Sequence, residues 1–250
     1  MGELNFKTRQ SGAFHIASLP TKGEDCAVVV PFDHGTVIAI FDGHCGSELA
    51  EYASQVLPPL VAEAFNGCND DLEANITAIF AEFDQSLLSL SPTIHSILGY
   101  SGQEKFATGR LSVVGTTALI GFINQAQDEI WVISLGDSYV VRGRDSDGEM
   151  FTQIMSDAHS ASNPVEVQRV AEEHPDENDI IKDNQGPRVR GYLAVTRALG
   201  DHQLKTDLVF AKNIRASYYP SPVPMDAFDE NSIFKLVTCS SSLRTDSWIP

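Results

Sequence analysis

Residues 24–44 read EDCAVVVPFDHGTVIAIFDGH. Two β-branched runs, CAVVVP at 26–31 and GTVIAIF at 35–41, stand on either side of Asp33-His34-Gly35. Short runs of this composition around a turn tripeptide predict two strands of an antiparallel hairpin. Acidic residues occupy both outer ends. Glu24-Asp25 enters the first strand and Asp42-Gly43-His44 leaves the second. If the strands are neighbours, their outer ends coincide, so Glu24 and Asp42 project into one place.

Outward from this hairpin, residues 46–66 predict a helix with a break at Pro58-Pro59. Residues 70–88 predict a second helix, with Asp70 and Asp71 at its start and Leu72, Ile76, Ile79, Phe80, Phe83 and Leu87 on one face. The polar stretch 91–111 reads as a loop. Strands follow at 112–123, 129–135 and 138–143, with a further one at 150–154. A helix spans 163–173, with Asn163 as cap and Pro164 in its first turn. Residues 176–190 read as charged loop, and 191–205 shows no clean period. The proline-rich stretch 216–230 reads as an irregular connection, and IFKLVTC at 233–239 as a last strand. Strand pairs joined by short turns require antiparallel pairing. The fold class is therefore α+β, with helices packed on antiparallel sheets. The 250 residues predict a single domain over 1–250.

Composition excludes several functions. Lys plus Arg total 17 against 34 Asp plus Glu, a formal charge of −17. Such a chain is repelled by nucleic-acid phosphates and anionic lipid heads, so neither nucleic acid nor membrane is an expected partner. No apolar run approaches the roughly 20 residues of a membrane helix. Met1 to Pro20 has neither an apolar signal core nor a basic amphipathic pattern, so the expected location is intracellular, cytoplasmic or nuclear. Cys26, Cys45, Cys68 and Cys239 lack paired metal spacing and are expected as reduced, buried thiols.

Four segments carry chemistry. Glu24 and Asp42 at adjacent strand ends suit a hard divalent cation, Mg²⁺ or Mn²⁺. Gly43 permits a sharp turn and offers a carbonyl, and His44 is placed to protonate a leaving alkoxide. The same residues also fit a plain turn beside a surface charge. Gly115-Thr116-Thr117-Ala118 opens a buried strand with small residues. Gly136-Asp137-Ser138 is a turn between strands. In LAVTRALGD at 193–201, Arg197 and Asp201 are either a buried ion pair or site residues.

Taken in order, GED, FDGH, GTTA, GDS, the Asp157-x-His159 pair and LAVTRALGD resemble the metal-dependent protein Ser/Thr phosphatases of type 2C. The resemblance runs from about residue 14 to 240. NPVEVQRVAEEHPDENDII followed by RVRGYLAVTRALGD is most similar to the pyruvate dehydrogenase phosphatase branch. The resemblance implies two stacked antiparallel sheets with helices outside. It also implies two Mg²⁺ or Mn²⁺ ions whose shared water attacks a phosphoprotein's phospho-Ser/Thr. Asp42 would bridge the metals, Gly43 would ligate through its carbonyl and Glu24 mostly through water. His44 would be the general acid, and Asp137 would hold a weaker third metal.

Two departures qualify it. Pro20 stands where most members carry a phosphate-gripping basic residue, and Lys22 is the nearby replacement. After 233–239, Ser241 stands where the family has a metal-binding Asp, and a later family Asp has no counterpart. A hydroxyl does not replace a carboxylate's charge beside a divalent cation. Asp246 is the remaining candidate carboxylate. The expectation is a C-terminally incomplete domain and an incomplete two-metal site, from a degenerate member or an altered reading frame. A non-catalytic pseudophosphatase is the alternative function, and a protein partner covering the gap is expected.

Overall fold

The structure is a computed structural model that describes residues 7–19, 22–67, 71–89, 109–146, 148–177, 180–183, 186–206 and 242–247. Lys7–Ser11 (β1) and Phe14–Ser18 (β2) pair as an antiparallel ribbon. Both strands are largely exposed and carry no buried alternation, which is why sequence patterning does not reveal them. Cys26–Phe32 (β3) and Gly35–Phe41 (β4) form the predicted hairpin, in register from Cys26↔Phe41 to Phe32↔Gly35. Val37, Ala39 and Phe41 of β4 are buried on one face, while Ile40 on the other is exposed. Gly43–His44 (β5) continues the chain beyond Asp42.

Two helices cover the first face. Glu48–Asn66 (α1) runs unbroken through Pro58-Pro59, contrary to the predicted break. Leu49, Ala50, Ala53, Leu57, Val61 and Ala62 make one buried stripe on both sides of the prolines. Packing of that stripe against β3 and β4 outweighs the two backbone hydrogen bonds the prolines cannot make. Leu72–Ser89 (α2) is capped by Asp71, whose Oδ1 accepts from the Ala74 N–H at 3.0 Å. Ile76, Phe80, Phe83 and Leu87 are buried on its predicted face.

The predicted strand 112–123 is split. Gly115–Thr116 (β6) and Ala118–Asn124 (β7) are separated by Thr117, whose backbone turns to bond Asp42. Glu129–Leu135 (β8) lies where expected. Val141–Ser146 (β9) starts later than predicted and pairs with Glu149–Ile154 (β10). Val140 is diverted by bonds to Ser156 and Met155. Pro164–Glu173 (α3) begins at Asn163, whose Oδ1 accepts from the Val165 N–H at 3.0 Å. The charged stretch 176–190 holds two short strands, Ile181–Asp183 (β11) and Pro187–Val189 (β12). Leu199–Gly200 (β13) and Ser242–Ser247 (β14) complete the described strands. The expected strand 233–239, the connection 216–230, Ser241 and most of the loop 91–111 lie outside the described residues.

The main sheet has five antiparallel strands in the order β14-β8-β7-β4-β3. Phe65 of α1 stacks on Phe122 of β7 with centroids 4.2 Å apart, and Trp131 of β8 closes the group. On the other face, Leu119, Ile130 and Val132 pack with Met155. The antiparallel, helix-flanked α+β architecture is therefore as expected. Among the described residues, the strands outside the main sheet form three two-stranded ribbons and one three-stranded ladder. Cys26 is half-buried but Cys45 is exposed, which corrects the expectation of buried thiols. Among the described residues no helix is long and apolar enough to cross a membrane.

Phe80 is fully buried between α2 and the rest of the core. Phe80→Ala should cost roughly 3–5 kcal/mol, read as a lower urea midpoint at unchanged slope. A midpoint within error of the wild type would show that the helical layer does not carry the core.

Candidate active site

The site forms where β4 leaves the main sheet. Thr117 holds Asp42 by both backbone groups. Its N–H donates to the Asp42 carbonyl at 2.9 Å, and the Asp42 N–H donates to Thr117 Oγ1 at 3.3 Å. The chain then enters a three-stranded ladder, β13-β6-β5, with Gly43 and Leu199 both opposite Thr116 and with His44 and Gly200 both opposite Gly115. Gly43 packs so closely on the Glu24 backbone that a Cβ there would lie 2.3 Å from the Glu24 carbonyl oxygen. The sequence-predicted neighbours Glu24 and Asp42–His44 are thus adjacent through the backbone.

The carboxylate whose charge acts most on Asp42 is that of Asp25, the residue after the predicted Glu24. Partial burial raises the Asp42 pKa, the charges of Asp25 and Asp137 raise it further, and His44 opposes them. A raised carboxylate beside other carboxylates marks a place where positive charge is in demand. Glu24 instead acts on His44, whose pKa is raised. Burial works against the charged ring, but Asp201 overcomes it, with Asp42 and Glu24 adding to the effect. Asp42 thus feels the charges of Asp25, Asp137 and His44, and His44 those of Asp201, Asp42 and Glu24; Asp25 is the member sequence reasoning missed. Lys22 is largely exposed, with its Nζ 3.9 Å from Glu24 Oε2. An open cleft of about 620 Å³ between the β1–β2 ribbon and the outer face of β3 and β4 reaches Asp25, Asp42 and Ser138. Among the described residues, no three His, Cys, Asp or Glu side chains are grouped closely enough to hold a metal ion. Asp246 is excluded from the site by register. It lies opposite Ile130, at the far end of β8 from Gly136-Asp137.

Asp137 is fixed from behind. His159 donates its backbone N–H to the Gly136 carbonyl at 2.8 Å, and its Nδ1 accepts from the Gly136 N–H at 3.2 Å. That acceptor role requires a neutral ring. Burial, with Arg197 next, lowers the His159 pKa to about 4. Arg197 does not pair with Asp201, which corrects one of the two sequence readings. Its guanidinium donates to buried Glu166 at 2.6 and 3.0 Å. Thr196 Oγ1 and Arg169 complete the shell of Glu166. Burial alone would raise the Glu166 pKa, but these hydrogen bonds hold it at about 2.

Asp84 was also missed, although a carboxylate on the apolar face of α2, four residues after Phe80, is a legible signal. Its side chain is buried. It accepts from the Gly200 N–H at 2.7 Å and from Lys205 Nζ at 2.9 and 3.0 Å, and lies 3.2 Å from His202 Nε2. It thereby ties α2 to the turn that carries Asp201.

The sequence profile described as Protein phosphatase 2C matches residues 17–226, and the chain belongs to this family. It is 29% identical over 191 residues to Probable protein phosphatase 2C 36 of Oryza sativa subsp. japonica, covering 75% of this chain and 46% of that protein. It is 29% identical over 172 residues to Protein phosphatase 1L of Bos taurus, covering 69% and 43%. The chain spans about half the length of the curated relatives it matches. Among solved structures, the serine-threonine phosphatase 2C from Toxoplasma gondii superposes with a TM-score of 0.53 at 14% identity, over 91% of this chain and 70% of that one. A C. elegans sex determining protein superposes with a TM-score of 0.56 at 22% identity, over 91% and 45%. These likenesses establish the fold.

The Asp84 joint has a defined acid sensitivity. Burial opposes ionisation, but Lys205 and His202 lower the Asp84 pKa from 3.8 to about 2. A depressed carboxylate stabilises the folded state fully above its unfolded value and loses that contribution as pH falls through the folded value. Acid unfolding followed by circular dichroism should therefore show a contribution between pH 3.8 and about 2 that is absent in Asp84→Asn. At neutral pH the same variant leaves the buried Lys205 charge uncompensated and should cost about 3–5 kcal/mol.

Proposed function

We propose that the chain is a Mg²⁺- or Mn²⁺-dependent phosphatase of phospho-Ser/Thr proteins. The observation that carries this reading is that the charges of Asp25 and Asp137 both act on Asp42 at the start of β5, with the His44 ring beside it. Membership of the type 2C family supports it.

The donors fit such an ion in chemistry. They are carboxylate and carbonyl oxygens, the ligands hard divalent cations prefer, and the charges of Asp25 and Asp137 add to partial burial in raising the Asp42 pKa. Glu24, Asp42, the Gly43 carbonyl and Asp137 would hold the metal ions, with Asp25 acting through Asp42. A bound ion would supply Lewis-acid activation of water and charge neutralisation at the phosphoryl oxygens. The chain's own groups do the rest. Thr117 fixes the direction of Asp42, and Gly136 and His159 fix Asp137. His44, whose ring is bonded by Asp201, gives a proton to the departing Ser or Thr oxygen. The nearer kinship with the pyruvate dehydrogenase phosphatase branch is part of this proposal and rests on residues 155–205.

A second reading is favoured by one observation. The described acids do not make a closed three-ligand group, so the same cleft also suits a non-catalytic module that binds phosphoproteins.

Purified protein with Mn²⁺ should release phosphate from a phosphothreonine peptide, and EDTA should stop it. Asp42→Asn should reduce kcat/KM by two orders of magnitude or more, in the range ascribed to a principal electrostatic group of about 10²–10³, and should weaken Mn²⁺ binding by calorimetry. Peptide binding without turnover would select the second reading. Turnover unaffected by EDTA would overturn the first.

A further inference from the structure

We propose that Asp201 is a positioning residue for His44, committing the ring's Nε2 to itself so that Nδ1 is the nitrogen presented to the substrate. This rests on the phosphatase reading above and names a residue that the reading does not require.

The geometry is specific. His44 Nε2 lies 2.6 Å from Asp201 Oδ2, and the Asp201 side chain has no solvent exposure. The other oxygen, Oδ1, accepts from Gln203 Nε2 at 3.2 Å. Both carboxylate oxygens are therefore spoken for, which fixes the plane of the group. Gln203 is itself fully buried, and its Oε1 has no hydrogen-bond partner among the described residues. The amide N–H is the part of this buried side chain that reaches Asp201.

The backbone is shaped around the same contact. Asp201 has φ +50° and ψ +33°, a left-handed conformation unfavourable for a residue with a Cβ. Strain of this kind persists only where surrounding structure imposes it, and it gathers at functional positions. The three-stranded ladder explains how it is imposed. His44 on β5 and Gly200 on β13 lie on opposite sides of Gly115 on β6. The imidazole and the carboxylate meet over that glycine. A Cβ at Gly115 would lie 2.0 Å from His44 Nε2 and 2.2 Å from Asp201 Oδ2. The first residue of the GTTA segment is thus glycine because the pair occupies the space of its side chain. Asp84 anchors the adjacent Gly200 N–H at 2.7 Å, which fixes the approach of Asp201 from the other side.

A carboxylate bonded to one imidazole nitrogen selects the tautomer and orientation of the ring and leaves the opposite nitrogen for proton transfer. A merely structural ion pair would tie β5 to β13 without affecting the proton donated to the leaving group. Asp201→Asn separates these roles. With phosphothreonine peptide and with phenyl phosphate, whose leaving groups need a proton, kcat should fall on the order of 100-fold, the lower range for general acid catalysis. KM should stay within about threefold. With 4-nitrophenyl phosphate, whose leaving group departs without a proton, kcat should change little. Equal losses on all three substrates would overturn the proposal.

Nuclear magnetic resonance of ¹⁵N-histidine-labelled protein gives a readout independent of turnover. The His44 Nε2 proton should be a strongly downfield, exchange-protected resonance in the wild type and should be lost in Asp201→Asn and in Gly115→Ala. Wild-type protein with that resonance but no hydrolysis would sink the phosphatase reading while keeping the pair. Absence of that resonance in folded wild-type protein would overturn the pair itself.

Discussion

The rest of the site depends on the two hydrogen bonds between Thr117 and Asp42. They lie where β4 and β7 stop pairing as parts of the five-stranded sheet and the chain passes into the β5-β6-β13 ladder. A β-ladder carried straight on would alternate Asp42, Gly43 and His44 between two faces. The transfer at Thr117 instead brings all three into one corner with Asp25 and Glu24. Gly136 is fitted to the same residue, since a Cβ there would lie 2.4 Å from Thr117 Cβ. One threonine therefore locates both acidic turns.

Behind this corner the protein uses buried carboxylates as joints. Asp84 ties α2 to the β13 turn, and Glu166 ties α3 to Thr196 and Arg197, just beyond His159. Buried ion pairs contribute little net stability once desolvation is counted, but losing one partner is costly. Such joints act less as sources of stability than as fixed points. They tether the segments next to Asp137 and Asp201.

The charge balance constrains what the corner can bind. In a chain of net charge −17, a cluster of three aspartates repels a phosphoryl group unless positive charge is added. Among nearby side chains, the Lys22 ammonium is exposed and faces Glu24, and Arg110 is engaged with Glu48 and the Cys45 carbonyl.

The sequence by itself determined the elements whose apolar period is strong. The β3–β4 hairpin, α2 and β8 could be read because burial of one face dictates which residue types recur and where, and α3 from its Asn163 cap and Pro164. The sequence also supplied, through the joint order of its motifs, the family resemblance by which Asp42, Gly43, His44 and Asp137 are expected in one constellation. It could not show β1 and β2, whose exposed strands carry no alternation, nor the continuity of α1 through Pro58-Pro59. Packing on β3 and β4 decided that continuity. Tertiary structure alone decided that the charge of Asp25 rather than that of Glu24 acts on Asp42, that Arg197 belongs to Glu166, and that Asp201 belongs to His44 from 157 positions away. The physical reason is common to all three. Which carboxylate meets which partner depends on ångström-scale placement of strand ends set by distant segments, whereas periodicity reports only which face of an element is dry.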